Sequence, residues 1–318
     1  MRAEGRAAPA PATLIPQPST RRRRRLLWSE YRDAYLFLLP WMIGFVVWQA
    51  GPMVASLYFS LTRYEIVTAP EWAGLEQYAR LFQDDRFYLA LYNSAFYVLI
   101  GVPTHLLLAL GAAMLLNVQV KGTSFYRTLY YLPSIIPIVA NSLLWAWMFS
   151  SQYGLVNQIL GSIGLPQPQW LQDPTWAKPA LIVMSWWTIG GQMVILLAGL
   201  QGVPDHLYEA AAIDGAGAWH RFWAVTLPLL TPSLFFNLIV ALIGAFQVFT
   251  QAYVMTKGGP QFSTLFYILY LYQNAFEDFK MGYASALAWV LFVIILAITL
   301  VQFKVANRWV FYEGELRR

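Results

Sequence analysis

The segment EAAAIDGAGAWHRFWAVTLP occupies Glu209 to Pro228 and separates two long apolar runs of the chain. No Asp, Glu, Lys or Arg occurs in residues 179–204 before it, or in residues 222–256, which begin within it. The whole chain is 58% hydrophobic and only 12% charged, whereas roughly a quarter of the residues in a soluble domain are charged. The composition therefore indicates a membrane protein, with this segment as a polar turn between two spans.

Charge-free runs of this kind recur along the chain and set the number of spans. Each is long enough for a helix of about 20 apolar residues, which a bilayer crossing requires. Glycines and prolines interrupt the second half of the run 128–172, so this run holds one span. The runs lack the alternation of barrel strands, which predicts an all-α integral membrane protein. We expect six transmembrane helices, near residues 34–61, 89–117, 128–150, 178–201, 229–255 and 281–303.

The distribution of positive charge predicts the orientation. With six alternating spans, 15 of the 21 lysines and arginines fall on the side of the N-terminus, including the run Arg21–Arg25. Positively charged loops stay in the cytoplasm, so we expect both termini to be cytoplasmic. We divide the chain into a basic, disordered tail (1–33), a transmembrane domain (34–303) and a second tail (304–318). Five consecutive arginines are also typical of nucleic-acid binding, but their place beside a span favours orientation, with lipid and no nucleic acid as partner.

The spacing within the opening segment resembles the signature of the permease subunits of ATP-driven (ABC) importers. That signature is Glu-Ala-Ala, three residues, Gly, nine residues, an aliphatic residue, one residue and Leu-Pro. It is met here by Glu209, Ala210, Ala211, Gly215, Val225, Leu227 and Pro228. The resemblance implies a type I ABC importer permease fold, in which residues 202–228 are a cytoplasmic coupling loop that docks on an ATPase subunit. It implies coupling roles for Glu209, Ala210, Ala211, Asp214, Gly215, Leu227 and Pro228.

Two later segments narrow the resemblance to one branch of these importers. Thr256 to Pro260 reads TKGGP and Gly282 to Ala286 reads GYASA, and both are similar to the carbohydrate-uptake branch. The C-terminal sequence from Arg308 resembles the maltose-type first permease more than its partner subunit. The resemblance implies a multi-pass protein of the bacterial cytoplasmic (inner) membrane that translocates a sugar. The implied partners are a second homologous permease, an ATPase dimer and an extracytoplasmic solute-binding protein.

The coupling loop has the residue types that a helix–turn–helix needs. Asp205 places negative charge in the first turn of a helix, where the helix dipole favours it. Gly215 and Gly217 allow a chain reversal that needs positive φ, and Pro228 is expected to start the fifth span. A plain amphipathic helix with a glycine hinge is the alternative, because Glu-Ala-Ala alone is a common tripeptide.

Polar residues inside the spans are the candidates for a substrate pocket, because polar groups in lipid are costly unless they line a cavity. At 100° per residue, the polar positions of the fifth span form one stripe. The alternative for each is a hydrogen bond that holds neighbouring helices together. His105 has two equally weighted interpretations: a residue of the pocket, or a histidine that is packed and hydrogen-bonded between helices. The candidates are Gln247, Gln251, Asn237, Gly244, Phe249, Trp186, Gln192 and Asn141.

Several functions lack the residues that they would need. No GxxxxGK[ST] phosphate loop occurs, so ATP and Mg²⁺ are expected on a partner ATPase and no cofactor on this chain. There is no cysteine and the three histidines are dispersed, which predicts no metal site and no enzyme activity. A secondary transporter would need an ionisable residue inside a span, and a membrane enzyme would need clustered catalytic groups; neither is visible. Permeases for glycerol phosphate or a polyol remain alternatives within the importer class.

Overall fold

The computed structural model describes residues 20–118 and 121–311, with side chains from residue 31 onward. The chain divides into two compact units, Met1–Ser56 and Leu57–Arg318. The described residues are helical apart from loops and one short antiparallel pairing of β1 (Thr62–Arg63) with β2 (Glu71–Trp72). The predicted all-α membrane fold is confirmed.

The first unit is a helix that begins earlier than the sequence predicts. It consists of α1 (Thr20–Phe45), a π-helical turn (Val46–Ala50) and the first part of α2 (Gly51–Ser60). Residues 20–33 are therefore helical rather than disordered, because the arginine run continues into the apolar span without a Gly or Pro break. The rest of the predicted tail, residues 1–19, lies outside the described residues, as do 312–318 of the second tail.

The second unit is a bundle built around one long helix, α4. Its remaining helices lie in the order α3 (Glu76–Leu81), α4 (Asp85–Leu116), α5 (Thr123–Tyr131), α6 (Ile138–Met148), α7 (Leu155–Ser162), α8 (Pro174–Trp186), α9 (Gly190–Gln201), α10 (Asp205–Ile213), α11 (Ala218–Arg221), α12 (Leu227–Phe246), α13 (Thr250–Met255), α14 (Tyr267–Tyr272) and α15 (Met281–Ala306). Helices α8, α9, α12 and α14 all pack on α4. The small side chains Ala109, Ala112 and Ala113 let α9 approach α4 closely.

Four helical stretches in the described part of the chain are long and apolar enough to span a membrane: Tyr31–Ser60, Asp85–Leu116, Ala218–Met255 and Met281–Ala306. Two further spans are bent pairs. The pair Thr123–Ile135 and Ile138–Met148 turns by 97°, and the pair Pro174–Trp186 and Gly190–Gln201 by 49°. The count reaches the predicted six when each bent pair is one span.

The bends correct the expectation of straight helices. The predicted span 128–150 breaks at Ile136, whose ψ of 130° is extended. Pro137 follows it, and the residue before a proline is disfavoured in the α conformation. The fifth span is also longer than predicted, since the helix enters it at Ala218 rather than at 229, through a π turn at Phe222–Thr226.

Buried polar side chains at one end of α4 fix the loop between α13 and α14. Asn93 is fully buried and donates from Nδ2 to the carbonyl oxygens of Phe262 (2.8 Å) and Leu265 (3.1 Å). Its Oδ1 accepts from Lys178 Nζ at 3.1 Å. The Ser94 hydroxyl accepts from the Tyr267 amide at 2.9 Å. Loop carbonyls that would otherwise be buried without partners are thereby satisfied.

Asp84 joins the start of α4 to two other helices. Its carboxylate caps α4 by accepting from the Arg86 amide at 2.9 Å, and it also accepts from the hydroxyls of Tyr270 and Tyr283. Burial acts to raise the pKa of Asp84, but the hydrogen bonds from these hydroxyls and from nearby backbone amides outweigh it. They hold the pKa of this carboxyl below its usual value.

Gly190 allows the start of α9 to touch the end of α5. A Cβ at Gly190 would lie 2.6 Å from Tyr130 O and 2.7 Å from Tyr131 Cα, both backbone atoms that cannot turn away. At Gly191 no heavy atom lies within 4 Å of the corresponding position. A side-chain methyl group would therefore clash with backbone at Gly190 but not at Gly191.

We expect Gly190→Ala to lower the free energy of unfolding by about 1–3 kcal/mol, because the added methyl group overpacks a backbone contact. Gly191→Ala is the matched control and should leave stability unchanged or raise it slightly, since alanine favours helix. Thermal unfolding of both variants in the same detergent measures the difference. Equal melting temperatures would contradict the contact between α5 and α9.

Candidate functional site

A cavity of about 420 Å³ lies among the bent and interrupted helices of the second unit. Helices α4, α6, α8, α9, α12 and α13 all contribute to its wall. The polar residues that line it are Tyr97, His105, Asn141, Ser185, Thr188, Gln192 and Gln251. Its remaining lining residues are apolar or glycine, and none is Asp, Glu, Lys or Arg.

Four of the predicted pocket residues line this cavity. Asn141 comes from α6, Gln192 from α9, Gly244 from α12 and Gln251 from α13. His105, which the sequence left open, also lines it. The Nε2 atom of His105 and the Oδ1 atom of Asn141 are buried without a hydrogen-bond partner in the part of the chain that the structure describes. Both residues line the cavity, but these two atoms are enclosed in its wall rather than open to it.

The other four candidates lie outside the lining. Asn237 is buried and donates from Nδ2 to Ser233 O at 2.8 Å, and Trp186 Nε1 donates to Thr104 Oγ1 at 3.1 Å. The Trp186 bond joins α8 to α4 and is the interhelical bond that was the alternative, whereas the Asn237 bond lies within α12. Phe249 packs on Tyr253 and Tyr272, with ring centroids 5.4 and 4.9 Å apart. Gln247 is exposed.

The predicted stripe fails because the fifth span is not one continuous helix. Helix α12 ends at Phe246 and α13 begins at Thr250, so the 100° rotation per residue does not carry across residues 247–249. Gln247 and Gln251 consequently do not share a face. This break leaves Gln251 and Val248 at the cavity and turns Gln247 away from it.

Sequence reasoning missed the hydroxyl residues at the bend between α8 and α9. Ser185 and Thr188 line the cavity, and their hydroxyls donate to Ile182 O (2.6 Å) and Ser185 O (3.0 Å). Hydroxyl groups often satisfy carbonyls where a helix bends in this way. The available signal was the pair of hydroxyl residues directly before Gly190 and Gly191, which together mark a bend.

The segment 202–228 forms a second candidate site on the surface. Helix α10 ends at Ile213, the chain reverses at Gly215, whose φ is +78°, and α11 begins at Ala218. The positive φ predicted for Gly215 is confirmed, but Gly217 has φ −67° and needs no glycine conformation. The predicted coupling residues Glu209, Ala210, Asp214 and Gly215 are exposed, and Ala211, Leu227 and Pro228 are half-buried. Exposed apolar side chains accompany them: Ile213 is 87% and Trp219 73% accessible.

Pro228 does not start the fifth span, because it lies within a helix that already runs from Ala218. A side-chain hydroxyl also replaces the backbone hydrogen bond that Pro232 removes from this helix. Pro232 has no amide to donate to Pro228 O, and the Thr231 hydroxyl donates to that oxygen instead, at 2.6 Å. The same hydroxyl accepts from the Phe311 amide at 2.9 Å. The hydroxyl thus supplies the one helix hydrogen bond that Pro232 cannot make.

The fold and these two sites define a multi-pass helical membrane protein with a central polar cavity and an exposed helix–turn–helix. Residues 105–310 match the model of the family described as "Binding-protein-dependent transport system inner membrane component". This chain belongs to that family, whose members are the inner-membrane permease components of ABC transporters. ATP hydrolysis in such systems is carried out by separate subunits, so the permease assignment is confirmed and the chain is not an enzyme.

Individual relatives agree with the family. The chain is 45% identical to the "Probable ABC transporter permease protein YesP" of Bacillus subtilis, covering 92% of this chain and 96% of the relative. It is 34% identical to the "Trehalose/maltose transport system permease protein MalF" of Thermococcus litoralis, covering 89% and 96%. A solved bacterial ABC transporter "involved in the import of the acidic polysaccharide alginate" has a chain similar to this one with TM-score 0.76 and 28% identity, covering 89% and 99%.

The two glycines of the surface loop give a prediction for the turn. A Cβ at either position would meet no heavy atom within 4 Å, so only the backbone conformation distinguishes them. We expect Gly215→Ala to destabilise the turn by about 1–2 kcal/mol, the cost of the left-handed conformation for alanine. Amide hydrogen exchange over 205–222 should accelerate in Gly215→Ala and change much less in the control, Gly217→Ala. Equal exchange in both variants would contradict the assigned turn.

Proposed function

We propose that this chain is the membrane-spanning subunit through which an ATP-driven importer carries a neutral sugar or sugar derivative into the cell. The observation that carries the proposal is the central cavity, which offers hydroxyl, amide and imidazole groups and no charged side chain. A sugar can hydrogen-bond to such groups through its own hydroxyls, and no ion has to be desolvated. Because the chain belongs to the permease family, we infer that this cavity binds the substrate during transport.

The absence of charge from the lining favours a neutral substrate over its alternatives. Glycerol phosphate carries a phosphate group, which proteins hold with arginine, lysine or a metal ion. None of these side chains lines this chain's share of the cavity. A secondary transporter is disfavoured in the same way, because the lining contains no carboxylate to carry a coupling proton. The printed description of the Thermococcus relative names trehalose and maltose, which are neutral sugars.

The proposed assembly contains this chain, a second homologous permease, two ATPase subunits that bind ATP and Mg²⁺, and an extracytoplasmic solute-binding protein. One support is a second structure of the alginate transporter, 26% identical with TM-score 0.75, described in complex with an "alginate pentasaccharide-bound periplasmic protein". The other is the exposed surface of 202–228, where Glu209, Asp214 and Ile213 are open to a partner. We assign ATPase docking to this surface.

The orientation follows from the same assignment. An ATPase lies in the cytoplasm, so α10 and α11 face the cytoplasm and both termini lie on that side. Arg127 and Lys121 of the loop before α5 then lie on the cytoplasmic side as well, in agreement with the positive-inside rule. The loops around Gly74, Gly164 and Gly259 face outward, toward the binding protein.

The substrate assignment is tested with the reconstituted complex, by binding-protein-dependent ATP hydrolysis and uptake over maltose, trehalose, lactose, sorbitol and glycerol 3-phosphate. A neutral sugar should stimulate both activities. Gln251→Ala should raise the half-saturating sugar concentration by roughly 2- to 10-fold, the equivalent of one hydrogen bond of about 0.5–1.5 kcal/mol. Gln247→Ala is the matched control and should have little effect.

Two results would overturn this proposal. Stimulation by glycerol 3-phosphate or sorbitol alone would replace the sugar assignment. An effect of Gln247→Ala as large as that of Gln251→Ala would show that the cavity of this chain is not where the substrate binds.

Orientation is tested by cysteine labelling, because the native chain contains no cysteine. In intact cells, Gly74→Cys, Gly164→Cys and Gly259→Cys should react with a membrane-impermeant thiol reagent. Gly217→Cys should react only after the cells are opened, because the docking loop is inside. The reverse pattern would place the docking loop outside and would rule out its contact with an ATPase.

A further inference from the structure

One hydrogen bond joins the proposed docking helix α10 to the long helix that follows it. The hydroxyl oxygen of Tyr208 lies 3.0 Å from Thr226 Oγ1, although the two residues are 18 positions apart. Thr226 is buried, with 8% of its surface accessible, and Tyr208 is half-buried. The bond therefore lies where α10 meets the base of α12.

Either hydroxyl of this pair can donate, because each carries one hydrogen and can also accept. Thr226 Oγ1 also lies 3.5 Å from the carbonyl oxygen of Arg221, at the limit of hydrogen-bond distance. Whichever hydroxyl donates, the contact ties α10 to the last residue of the π turn Phe222–Thr226.

No other side-chain hydrogen bond or ion pair connects α10 to another element in the part of the chain that the structure describes. None of the α10 residues is buried, and Asp205, Glu209 and Asp214 have no salt-bridge partner there. The remaining hydrogen bonds of this segment are local backbone bonds, such as Leu207 N to Pro204 O at 3.1 Å. Among the polar side-chain contacts of the described residues, the one from Tyr208 is therefore the one that can carry a force from α10 to the bundle.

Thr226 belongs to a helical stretch that also forms a wall of the cavity. Helix is continuous from Ala218 through α12, and Val240, Ala241, Gly244 and Ala245 line the cavity. From Thr226 to Ala241 the distance along the helix is about 22 Å, at 1.5 Å per residue. The hydrogen bond from Thr231 to Pro228 O supplies the one that Pro232 cannot make in this stretch.

We propose that the Tyr208–Thr226 hydrogen bond is the contact through which movement of the docking helix displaces α12 and the cavity wall. Tyr208 is a positioning residue: it touches neither nucleotide nor substrate, and it sets how far α12 follows α10. The proposal rests on the assignment of α10 to ATPase docking. Without this bond, ATP binding would still move α10, but α12 would follow less.

The test measures movement at the cavity, and it needs no knowledge of the substrate. Gly244→Cys supplies a single thiol on this chain, at a position where a Cβ meets no heavy atom within 4 Å. Its rate of reaction with a small maleimide is measured in the complete complex, with and without ATP and vanadate. Tyr208→Phe and Thr226→Val each remove one hydroxyl and keep the side-chain shape. Tyr126→Phe is the control, because it removes an exposed tyrosine hydroxyl that makes no hydrogen bond to another described residue of the chain.

We expect ATP and vanadate to change the labelling rate in the parent and in Tyr126→Phe. Tyr208→Phe and Thr226→Val should each reduce that change by roughly 2- to 10-fold, the effect of one hydrogen bond. The double variant should be no worse than either single variant, because both remove the same bond. Copurification of the ATPase at the parental yield shows that docking itself is intact.

The outcomes separate the two proposals. An undiminished change in Tyr208→Phe and Thr226→Val, with a normal change in the parent, would overturn the role of this hydrogen bond and leave docking standing. Additive losses in the double variant would also overturn it, because they indicate two independent effects. If the parent does not copurify with an ATPase, or shows no nucleotide-dependent change, both proposals fall.

Discussion

The structure depends on one constraint: lipid offers no hydrogen bonds, so every backbone group inside the membrane must find its partner within the protein. Irregular backbone at that depth is tolerated only where it is packed in protein or lines a cavity. Three spans of this chain break, at Ile136, at residues 187–189 and at residues 247–249. Residues at each break line the same cavity: Ile138 starts α6, Thr188 lies in the bend, and Val248 lies between α12 and α13. The cavity is therefore located where the helices are interrupted.

The same constraint explains which polar side chains are structural. Thr231 supplies the hydrogen bond that Pro232 cannot make, and Ser185 and Thr188 donate to carbonyls beside a bend. Asn93 satisfies two loop carbonyls at the end of α4. These groups replace missing backbone bonds. Asn141, Gln192 and Gln251 instead line the cavity.

Hydropathy in the sequence predicted the membrane class and the approximate positions of the spans, because charged residues are expensive in lipid and mark the ends of each run. It did not predict the bends, since a bent and a straight span have the same hydropathy. Local signals for them existed in Pro137 and in Gly190, but their effect depends on neighbours distant in sequence, such as the backbone of Tyr130. The stripe of the fifth span failed for the same reason: a period of 3.6 residues assumes an unbroken helix. Thus Gln251 lines the cavity, whereas Gln247 lies outside its lining.

The positions of the breaks also divide the fifth span into parts with different mechanical roles. From Ala218 to Phe246 the helix is continuous, and the Thr231 hydroxyl supplies the hydrogen bond that is missing at Pro232. Residues 247–249 are not helical, and the α13 that follows them packs against α6. A movement of α12 can therefore change one wall of the cavity while α13 and α6 stay together.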